Sequence, residues 1–292
     1  MIKVNGTEVK IEKYPDGTPR INIGDKYLKD NRSTSCWERT ITCPPITIQW
    51  NFESNDELFY LALIKKHLEE NFGTMYDTRG LFYLDMPYIP NARMDRVKSR
   101  DEVFTLKYFC DLINDLHFDY VSVLDAHSDV SVALLNKCTN NNSKPYIQWV
   151  MNDDLASENM IFYFPDAGAA KRYSGLFSEI PYCYGEKKRD WKTGKILGLE
   201  VKTNGLDLTG KDILMIDDII AYGGSLYYSA LELKKCGVNK IYAYATHTEN
   251  SILDKEKGTL IKLLENGTVE RLFTTDSLFT GHHEKITAME VH

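Results

Sequence analysis

The chain has 292 residues, of which 35 are lysine or arginine and 42 are aspartate or glutamate, so its formal net charge is -7. This length suits two domains that each bury a core. A content of 43% hydrophobic and 26% charged residues excludes the disordered, collagen-like and coiled-coil classes. The acidic balance argues against nucleic acid and anionic membranes as partners, because both require a broad cationic field. It is compatible with a small polyanion held by a local basic cluster.

Membrane anchors and secretion signals have no counterpart in the sequence. Residues 1–17 alternate apolar and charged side chains, and no apolar run approaches the roughly 20 residues that cross a bilayer. The cysteines are scattered, with neither a CxxC pair nor the spacing of zinc ligands. We therefore expect a cytoplasmic protein with reduced thiols, which are Cys36, Cys43, Cys110, Cys138, Cys183 and Cys236.

The first half alternates apolar strands with helical patterns, as α/β proteins do. Residues 80–89 predict a strand that runs into a proline-rich loop, and the loop carries Arg93 and Arg96. Lys98 and Arg100 continue this basic run, so a solvated surface loop is the alternative to an anion site.

A capping box, formed by Ser99 and Glu102, predicts a helix directly after the loop. Residues 120–127 then predict a strand that ends in polar residues, where open parallel sheets bind ligands. Residues 136–145 are rich in turn formers, and we place the domain boundary there, between residues 143 and 144.

The clearest unit of the second half is the buried strand of residues 213–216, followed by Asp217, Asp218 and a glycine-rich turn. The carboxylates suit sugar hydroxyls. The helix that starts after Gly223, Gly224 and Ser225 offers N–H groups and a positive dipole end to a phosphate. This combination predicts a ribose phosphate site, although an acidic strand end with a glycine-rich connection has the same local pattern.

Other polar residues are spaced along the chain between apolar runs. His127 could weakly ligate Mg²⁺ or orient a phosphate, or serve a structural purpose. Asp166 follows Pro165 and could equally form a turn. Lys187 and Arg189 lie in a polar stretch that is able to close over a transition state or to remain ordinary surface.

The turn with Asp217 and Asp218 resembles the ribose-phosphate loop of the phosphoribosyltransferase superfamily. Five further motifs, in the same order, resemble the ribose-phosphate diphosphokinases, which make phosphoribosyl diphosphate, and a strand of their second half is matched too. Together they span about residues 14–247. The motifs are YPDG (14–17), MPYIPNARMDR (86–96), LDAHSD (124–129), FPDAGAAKR (164–172) and EKKRD (186–190), and the matching strand is YATH (244–247).

The resemblance implies an α/β fold of two phosphoribosyltransferase-like domains, each a mainly parallel sheet flanked by helices. An ATP-contacting domain would span residues 1–143 and a ribose-phosphate-binding domain residues 144–292. The implied roles are catalysis by Lys187, Arg189 and His127; ATP binding by Arg93, Arg96, Tyr14 and Asp16; Mg²⁺ binding by His127 and Asp166; and ribose-phosphate binding by Asp217, Asp218, Ala221, Tyr222, Gly223, Gly224 and Ser225.

The implied reaction transfers the β,γ-diphosphoryl group of ATP to the anomeric hydroxyl of ribose 5-phosphate, with Mg²⁺ as cofactor and AMP as the second product. The resemblance also implies a homo-oligomer, a dimer or a hexamer, because the Tyr14 loop would complete a neighbour's site. The partners are then small molecules and other copies of the chain.

A departure from the family pattern leaves the acceptor open: Ala221 and Tyr222 stand where members carry aspartate and threonine. Met94 replaces a glutamine and Thr18 a glutamate, so we expect the adenine and nucleotide contacts to be rearranged too. A tyrosine could pack against a larger group attached through the 5'-phosphate, so ADP-ribose is an alternative acceptor, with a role in NAD metabolism. A base phosphoribosyltransferase and a catalytically silent regulatory homologue remain as further alternatives.

Overall fold

The computed structural model describes residues 1–27, 45–72, 80–155, 159–189 and 196–291. The chain divides into two compact units, unit 1 (Met1–Asn141) and unit 2 (Asn142–His292), and the division falls within the polar stretch of residues 136–145. Within the described ranges, no helix is long and apolar enough to cross a bilayer.

In its described residues, unit 1 has a six-stranded sheet, a separate two-stranded ribbon and three α-helices. The sheet order is β2-β1-β5-β6-β7-β8, with β5 to β8 parallel, and β3 pairs with β4 in the ribbon. The strands are β1 (Ile2–Val4), β2 (Thr7–Glu8), β3 (Ile11–Lys13), β4 (Pro19–Ile21), β5 (Ile46–Trp50), β6 (Phe82–Asp85), β7 (Tyr120–Leu124) and β8 (Cys138–Asn141), and the helices are α1 (Asp56–Phe72), α2 (Thr105–Asn114) and α3 (Asp129–Leu134).

The described part of unit 2 has a seven-stranded sheet in the order β11-β10-β9-β12-β13-β14-β15, and among these strands only β11 is antiparallel to its neighbour. The strands are β9 (Met160–Phe164), β10 (Tyr182–Arg189), β11 (Ile196–Lys202), β12 (Asp212–Ile220), β13 (Ile241–Thr248), β14 (Leu272–Thr275) and β15 (Ile286–Met289). The helices are α4 (Lys144–Trp149), α5 (Ala167–Tyr173), α6 (Gly224–Lys235) and α7 (Leu260–Glu265).

The central strand β12 is apolar on both sides. Ile213 and Met215 belong to a core shared with α6 and α7, whereas Leu214 and Ile216 belong to a second core shared with α4 and α5. A strand between two helical layers has a continuous apolar run, and the sequence of β12 shows such a run. The mixed α/β class with mainly parallel sheets is therefore confirmed.

One local prediction was wrong. The helix after the basic loop begins at Thr105, and the Glu102 carboxylate accepts a hydrogen bond from the Lys98 N–H (2.6 Å) instead of closing a capping box. Val103, two residues before the helix, is 61% exposed. Within residues 80–89, the predicted strand is β6, which ends at Asp85, and the predicted loop follows it.

Candidate functional site

The strand β12 extends beyond its neighbour β9. Pairing of β12 with β9 ends at Met215 and Tyr163, whereas pairing with β13 continues to Ile220 and Thr248. Asp217 and Asp218 lie on this extension, beside helix α5, which follows β9. The prediction that the strand ends at Ile216 was wrong, because β13 supplies backbone partners for Asp217, Ile219 and Ile220 as well.

Asp217 and Asp218 are held by backbone donors of their own strand. Asp217 Oδ1 accepts the N–H of Asp218 (3.0 Å), and Asp218 Oδ1 accepts the N–H of Ile219 (2.9 Å). Burial, followed by the negative charge of Asp218, raises the pKa of Asp217 well above its ordinary value, and Asp166 adds in the same direction.

An ion pair compensates part of this negative charge. Arg172, in the last turn of α5, places Nη1 at 2.7 Å from Asp218 Oδ2, and the Asp218 side chain is only 10% exposed. A buried carboxylate requires such a partner, because desolvation otherwise favours its neutral form.

Asp166 caps the amino end of α5. Its Oδ1 accepts the N–H of Ala169 (2.9 Å), and the residue is exposed. Acceptance of an orphan N–H is the usual stabilising role of aspartate at this position. The structure therefore gives Asp166 a local role, and the carboxylate retains a second oxygen for a ligand.

The turn between β12 and α6 has a fixed backbone. Gly223 has a left-handed φ of 83°, and a Cβ at this residue would overlap the Cβ of Leu260. The carbonyl of Tyr222 accepts the Thr259 N–H and the Thr259 Oγ1 hydroxyl, both at 2.8 Å. The turn is thus attached to the start of α7, and the first residues of α6 present N–H groups that lack intrahelical partners.

The side chains of the turn are less constrained than its backbone. Tyr222 is 39% exposed, Ala221 and Gly224 are half-buried, and Ser225 is exposed. The phenol of Tyr222 is therefore accessible beside the amino end of α6, where a phosphate would bind.

A buried hydrogen-bonded relay connects β9 to the first turn of α6. The Tyr163 hydroxyl donates to Ser229 Oγ (2.7 Å), and the Ser229 hydroxyl donates to the Ser225 carbonyl (2.9 Å). Burial raises the pKa of Tyr163, so this phenol stays protonated and acts as a donor. The relay joins β9, which leads to Asp166, with α6, which follows the turn at Gly223.

The acidic residues of unit 2 fit a magnesium ion only in part. In the described portion of the chain, no three histidine, cysteine or acidic side chains are grouped closely enough to hold a metal by themselves. Mg²⁺ in phosphoryl-transfer sites commonly takes one or two carboxylates, with waters and substrate phosphates as the other ligands. The exposed carboxylate of Asp166 suits such a shared site.

His127 follows β7 in unit 1 and is half-exposed. Before it, Asp125 adopts a left-handed φ of 46° and donates its N–H to the Asn141 carbonyl (2.7 Å). The N–H of Ala126 donates to Asn140 Oδ1 (3.0 Å). These bonds fix the turn by which the chain leaves the carboxyl end of the sheet, the usual position of ligand-binding residues.

Arg93 and Arg96 are exposed residues of the loop between β6 and α2. The loop is anchored by buried residues before them, since Ala92 is buried and its N–H donates to the Ile89 carbonyl (3.3 Å). Asn91, directly before Ala92 in this turn, has a left-handed φ of 64°. The predicted basic loop is therefore present, with both guanidinium groups on a structured base.

Tyr14 and Asp16 lie at the tip of the β3–β4 ribbon. Tyr14 is 52% exposed, and Asp16 Oδ1 accepts the Thr18 N–H (3.0 Å), which lowers the pKa of Asp16. The YPDG motif is thus a tight hairpin turn that presents a ring and a carboxylate to solvent.

Lys187 and Arg189 belong to the last residues of β10. Their backbone pairs with β11, at Leu199 and Ile196, with a register shift between Lys188 and Arg189. The polar stretch that carries both residues is therefore part of a strand up to Arg189. The side chains of both predicted catalytic residues, and all of Asp190, lie outside the described part of the structure.

Two functional candidates were missed in the sequence. Arg172 stands inside the motif of residues 164–172, but its pairing with Asp218 is set by the packing of α5 on β12. Tyr163 looks like one more apolar residue of a buried strand, and only the position of α6 shows its bond to Ser229. A polar residue within an apolar run was the sole signal available.

No family model matches the chain. A ribose-phosphate pyrophosphokinase from Sulfurisphaera tokodaii is 26% identical over 290 residues, which cover 98% of this chain and 94% of that protein. A ribose-phosphate pyrophosphokinase from Chlorobaculum tepidum is 28% identical over 279 residues, which cover 94% of this chain and 77% of that protein.

A solved structure shows the same fold. The phosphoribosylpyrophosphate synthetase from Mycobacterium smegmatis matches with a TM-score of 0.71 at 17% identity, over 97% of this chain and 86% of that one. The expected fold, an α/β architecture of phosphoribosyltransferase type, is confirmed.

Proposed function

We propose that this chain, a diverged relative of the ribose-phosphate pyrophosphokinases, transfers the β,γ-diphosphoryl group of ATP to the anomeric C1 hydroxyl of ribose 5-phosphate. The C1 oxygen forms a bond to the β-phosphorus, the bridge between the α- and β-phosphates breaks, and AMP leaves. The hydroxyl proton is released, and the second product is phosphoribosyl diphosphate.

One observation carries this proposal above all others. An acidic pair on the extension of β12 is followed directly by the fixed turn of Gly223 and the amino end of α6. Carboxylates accept hydrogen bonds from sugar hydroxyls, whereas N–H groups at a helix start bind phosphate. A ribose with a 5'-phosphate requires both, a few ångströms apart.

The remaining predicted residues suit the ATP half of the reaction. Arg93 and Arg96 would bind ATP phosphates, and Tyr14 and Asp16 would contact adenine, in the family arrangement a neighbour's adenine. Lys187 and Arg189 would stabilise the charge of the transferring group. When bound, Mg²⁺ would neutralise phosphate charge; Asp166 and His127 are the residues proposed to hold it.

ADP-ribose is a second candidate acceptor, which one observation favours. Tyr222 offers an accessible ring beside the proposed phosphate position, and Ala221 leaves more room than an aspartate would. An exposed aromatic face can stack on an adenine. The same chemistry would then give a pyrophosphorylated ADP-ribose of use in NAD metabolism.

The deciding experiment incubates the protein with ATP and Mg²⁺, and with ribose 5-phosphate or ADP-ribose, and measures AMP by chromatography. We expect AMP only when an acceptor is present, and none after Mg²⁺ is removed with a chelator. Lys187→Ala should slow turnover by about 10²-fold or more, since it removes charge stabilisation from the transition state. Absence of AMP with both acceptors would refute the reaction.

The assay also separates the two remaining alternatives. A base phosphoribosyltransferase would consume phosphoribosyl diphosphate and a base without ATP. A silent regulatory homologue would give no product and no heat of ATP binding in calorimetry. A cytoplasmic location and a homo-oligomer, dimer or hexamer, belong to the proposal on the basis of the resemblance, and sedimentation tests the oligomer.

A further inference from the structure

Arg172 is the residue of unit 2 that joins helix α5 to the acidic pair. Its Nη1 lies 2.7 Å from Asp218 Oδ2, with side-chain exposures of 33% for the arginine and 10% for the aspartate. The same short helix carries Asp166 at its amino end. α5 therefore connects the proposed magnesium ligand with the proposed ribose ligand.

The acidic pair requires a cation at this position. Asp217 and Asp218 are consecutive, and both are partly or fully removed from water. Two neighbouring carboxylates in such surroundings repel each other, and burial favours the neutral form of each. A guanidinium in contact with Asp218 maintains its charge, so that Asp218 can accept hydrogen bonds from hydroxyls of a sugar.

The contact also fixes the orientation of the Asp218 carboxylate. Oδ1 accepts the Ile219 N–H, and Oδ2 accepts Arg172 Nη1, so both oxygens are anchored on different sides. Each oxygen has a second lone pair, whose direction is then set by the anchors. An oriented acceptor discriminates between sugars better than a freely rotating one, because it binds hydroxyls at defined positions only.

We propose that Arg172 is a positioning residue for the acceptor sugar, acting through Asp218 and not through the phosphates of ATP. This role rests on the proposed function. It predicts an effect on ribose binding with little effect on ATP binding. It also predicts that the effect disappears once Asp218 can no longer be ionised.

The test compares Arg172→Met with Lys171→Met, which removes the same charge from the adjacent, exposed residue of α5. For Arg172→Met we expect the KM for ribose 5-phosphate to rise about tenfold or more, as loss of a charged hydrogen bond does, with the KM for ATP within about twofold. Arg172→Lys should recover part of the loss. Lys171→Met should match the unmodified protein.

A double-mutant cycle with Asp218→Asn identifies the route of the effect. If Arg172 acts through Asp218, the double variant should bind ribose 5-phosphate no more than about twofold more weakly than Asp218→Asn alone. Additive losses, or an equal rise in the KM for ATP, would overturn the proposal. Should Arg172→Met fail to fold, the same cycle with Arg172→Lys gives the answer.

Titration calorimetry with ribose 5-phosphate in the absence of ATP distinguishes this proposal from the function on which it rests. If the protein releases no AMP but binds ribose 5-phosphate, and Arg172→Met alone weakens that binding, the proposed reaction fails and the positioning role stands. If ribose 5-phosphate binds equally to the unmodified protein and to Arg172→Met, or binds to neither, the positioning role is refuted.

Discussion

At the residue scale, the site concentrates negative charge where burial opposes it. Asp217 is the clearest case, because burial and the charge of Asp218 both raise its pKa. An ionised aspartate at this position lowers the stability of the free protein, so stability alone would not favour it. A ligand with hydroxyl groups or a divalent cation relieves the same repulsion, so the cost in the free protein becomes binding energy in the complex.

Asp217 therefore predicts a pH dependence of stability with a definite sign. Since its folded-state pKa is raised, the folded state binds its proton more tightly, and the contribution of Asp217 to stability falls as the pH rises above the ordinary aspartate pKa. Asp217→Asn should remove this decline. Denaturant unfolding in the presence of a chelator should show the stability of the variant rising relative to that of the unmodified protein from pH 4, near the ordinary aspartate pKa, to pH 7.

Asp207 supplies a control with the opposite sign. The N–H and the side chain of Thr209 lower its pKa, so its contribution to stability grows as the pH rises through the ordinary aspartate pKa. Asp207→Asn should lose stability relative to the unmodified protein as the pH rises towards the ordinary aspartate pKa, and the difference should change little between pH 4 and pH 7. If Asp217→Asn follows the Asp207→Asn trend or gives a flat difference, the buried carboxylate is not strained by its surroundings.

At the element scale, sequence patterns showed which residues belong to the site but not how strands and helices bring them together. The apolar run of β12 and the glycines after it were sufficient to predict a strand, an acidic pair and a helix start. The true length of β12 depends on β13, which continues beyond the end of β9. The length of a strand depends on which neighbouring strands pair with it, and no local pattern within residues 213–220 shows this.

Caps and pairings show the same limit. Ser99 and Glu102 have the spacing of a capping box, but α2 begins only at Thr105, after a turn. The Glu102 carboxylate accepts the Lys98 N–H instead. The ion pair of Arg172 joins residues 46 positions apart. Local spacing therefore did not determine the cap, and partners brought together by two elements left no pattern in the sequence.

The relay from Tyr163 to α6 gives a prediction for these two elements. Tyr163→Phe removes the donor to Ser229 Oγ within a buried region, so we expect a loss of about 1–3 kcal/mol in the free energy of unfolding. Because the relay ends on Ser225 in the first turn of α6, binding of ribose 5-phosphate should weaken as well. Chemical denaturation and calorimetry measure the two effects.

Tyr228→Phe is the matched control, since Tyr228 lies on α6, next to Ser229, and is 63% exposed. It should change stability by less than about 0.5 kcal/mol. A double variant of Tyr163→Phe with Ser229→Ala should lose less than the sum of the single losses. Equal effects of Tyr163→Phe and Tyr228→Phe would show that the buried hydroxyl pair contributes nothing specific.

At the scale of the whole molecule, the net charge of -7 gives no indication of the anions the chain is proposed to bind. The charges are separated by role: Arg93 and Arg96 are exposed on unit 1, while Asp166, Asp217 and Asp218 lie on unit 2. Summed charge argues against nucleic acid as a bulk partner. Nucleotide binding depends instead on the few charges within a Debye length of the ligand.

The division of the chain gives the last prediction. Unit 2 has its own sheet and two apolar cores, one on each side of β12, and its cores consist of its own residues. A domain with a core of its own can fold alone. We therefore expect the fragment of residues 142–292 to unfold cooperatively and to bind ribose 5-phosphate, because the acidic pair, the phosphate turn and Arg172 all belong to it.

The fragment should release no AMP from ATP, since it lacks Tyr14, Asp16, Arg93, Arg96 and His127. Circular dichroism, calorimetry and the AMP assay examine folding, binding and catalysis separately, with Asp218→Asn in the fragment as the control for specific binding. A folded fragment that does not bind ribose 5-phosphate would mean that unit 2 alone does not form the acceptor site. A fragment that produces AMP would remove unit 1 from the catalytic mechanism.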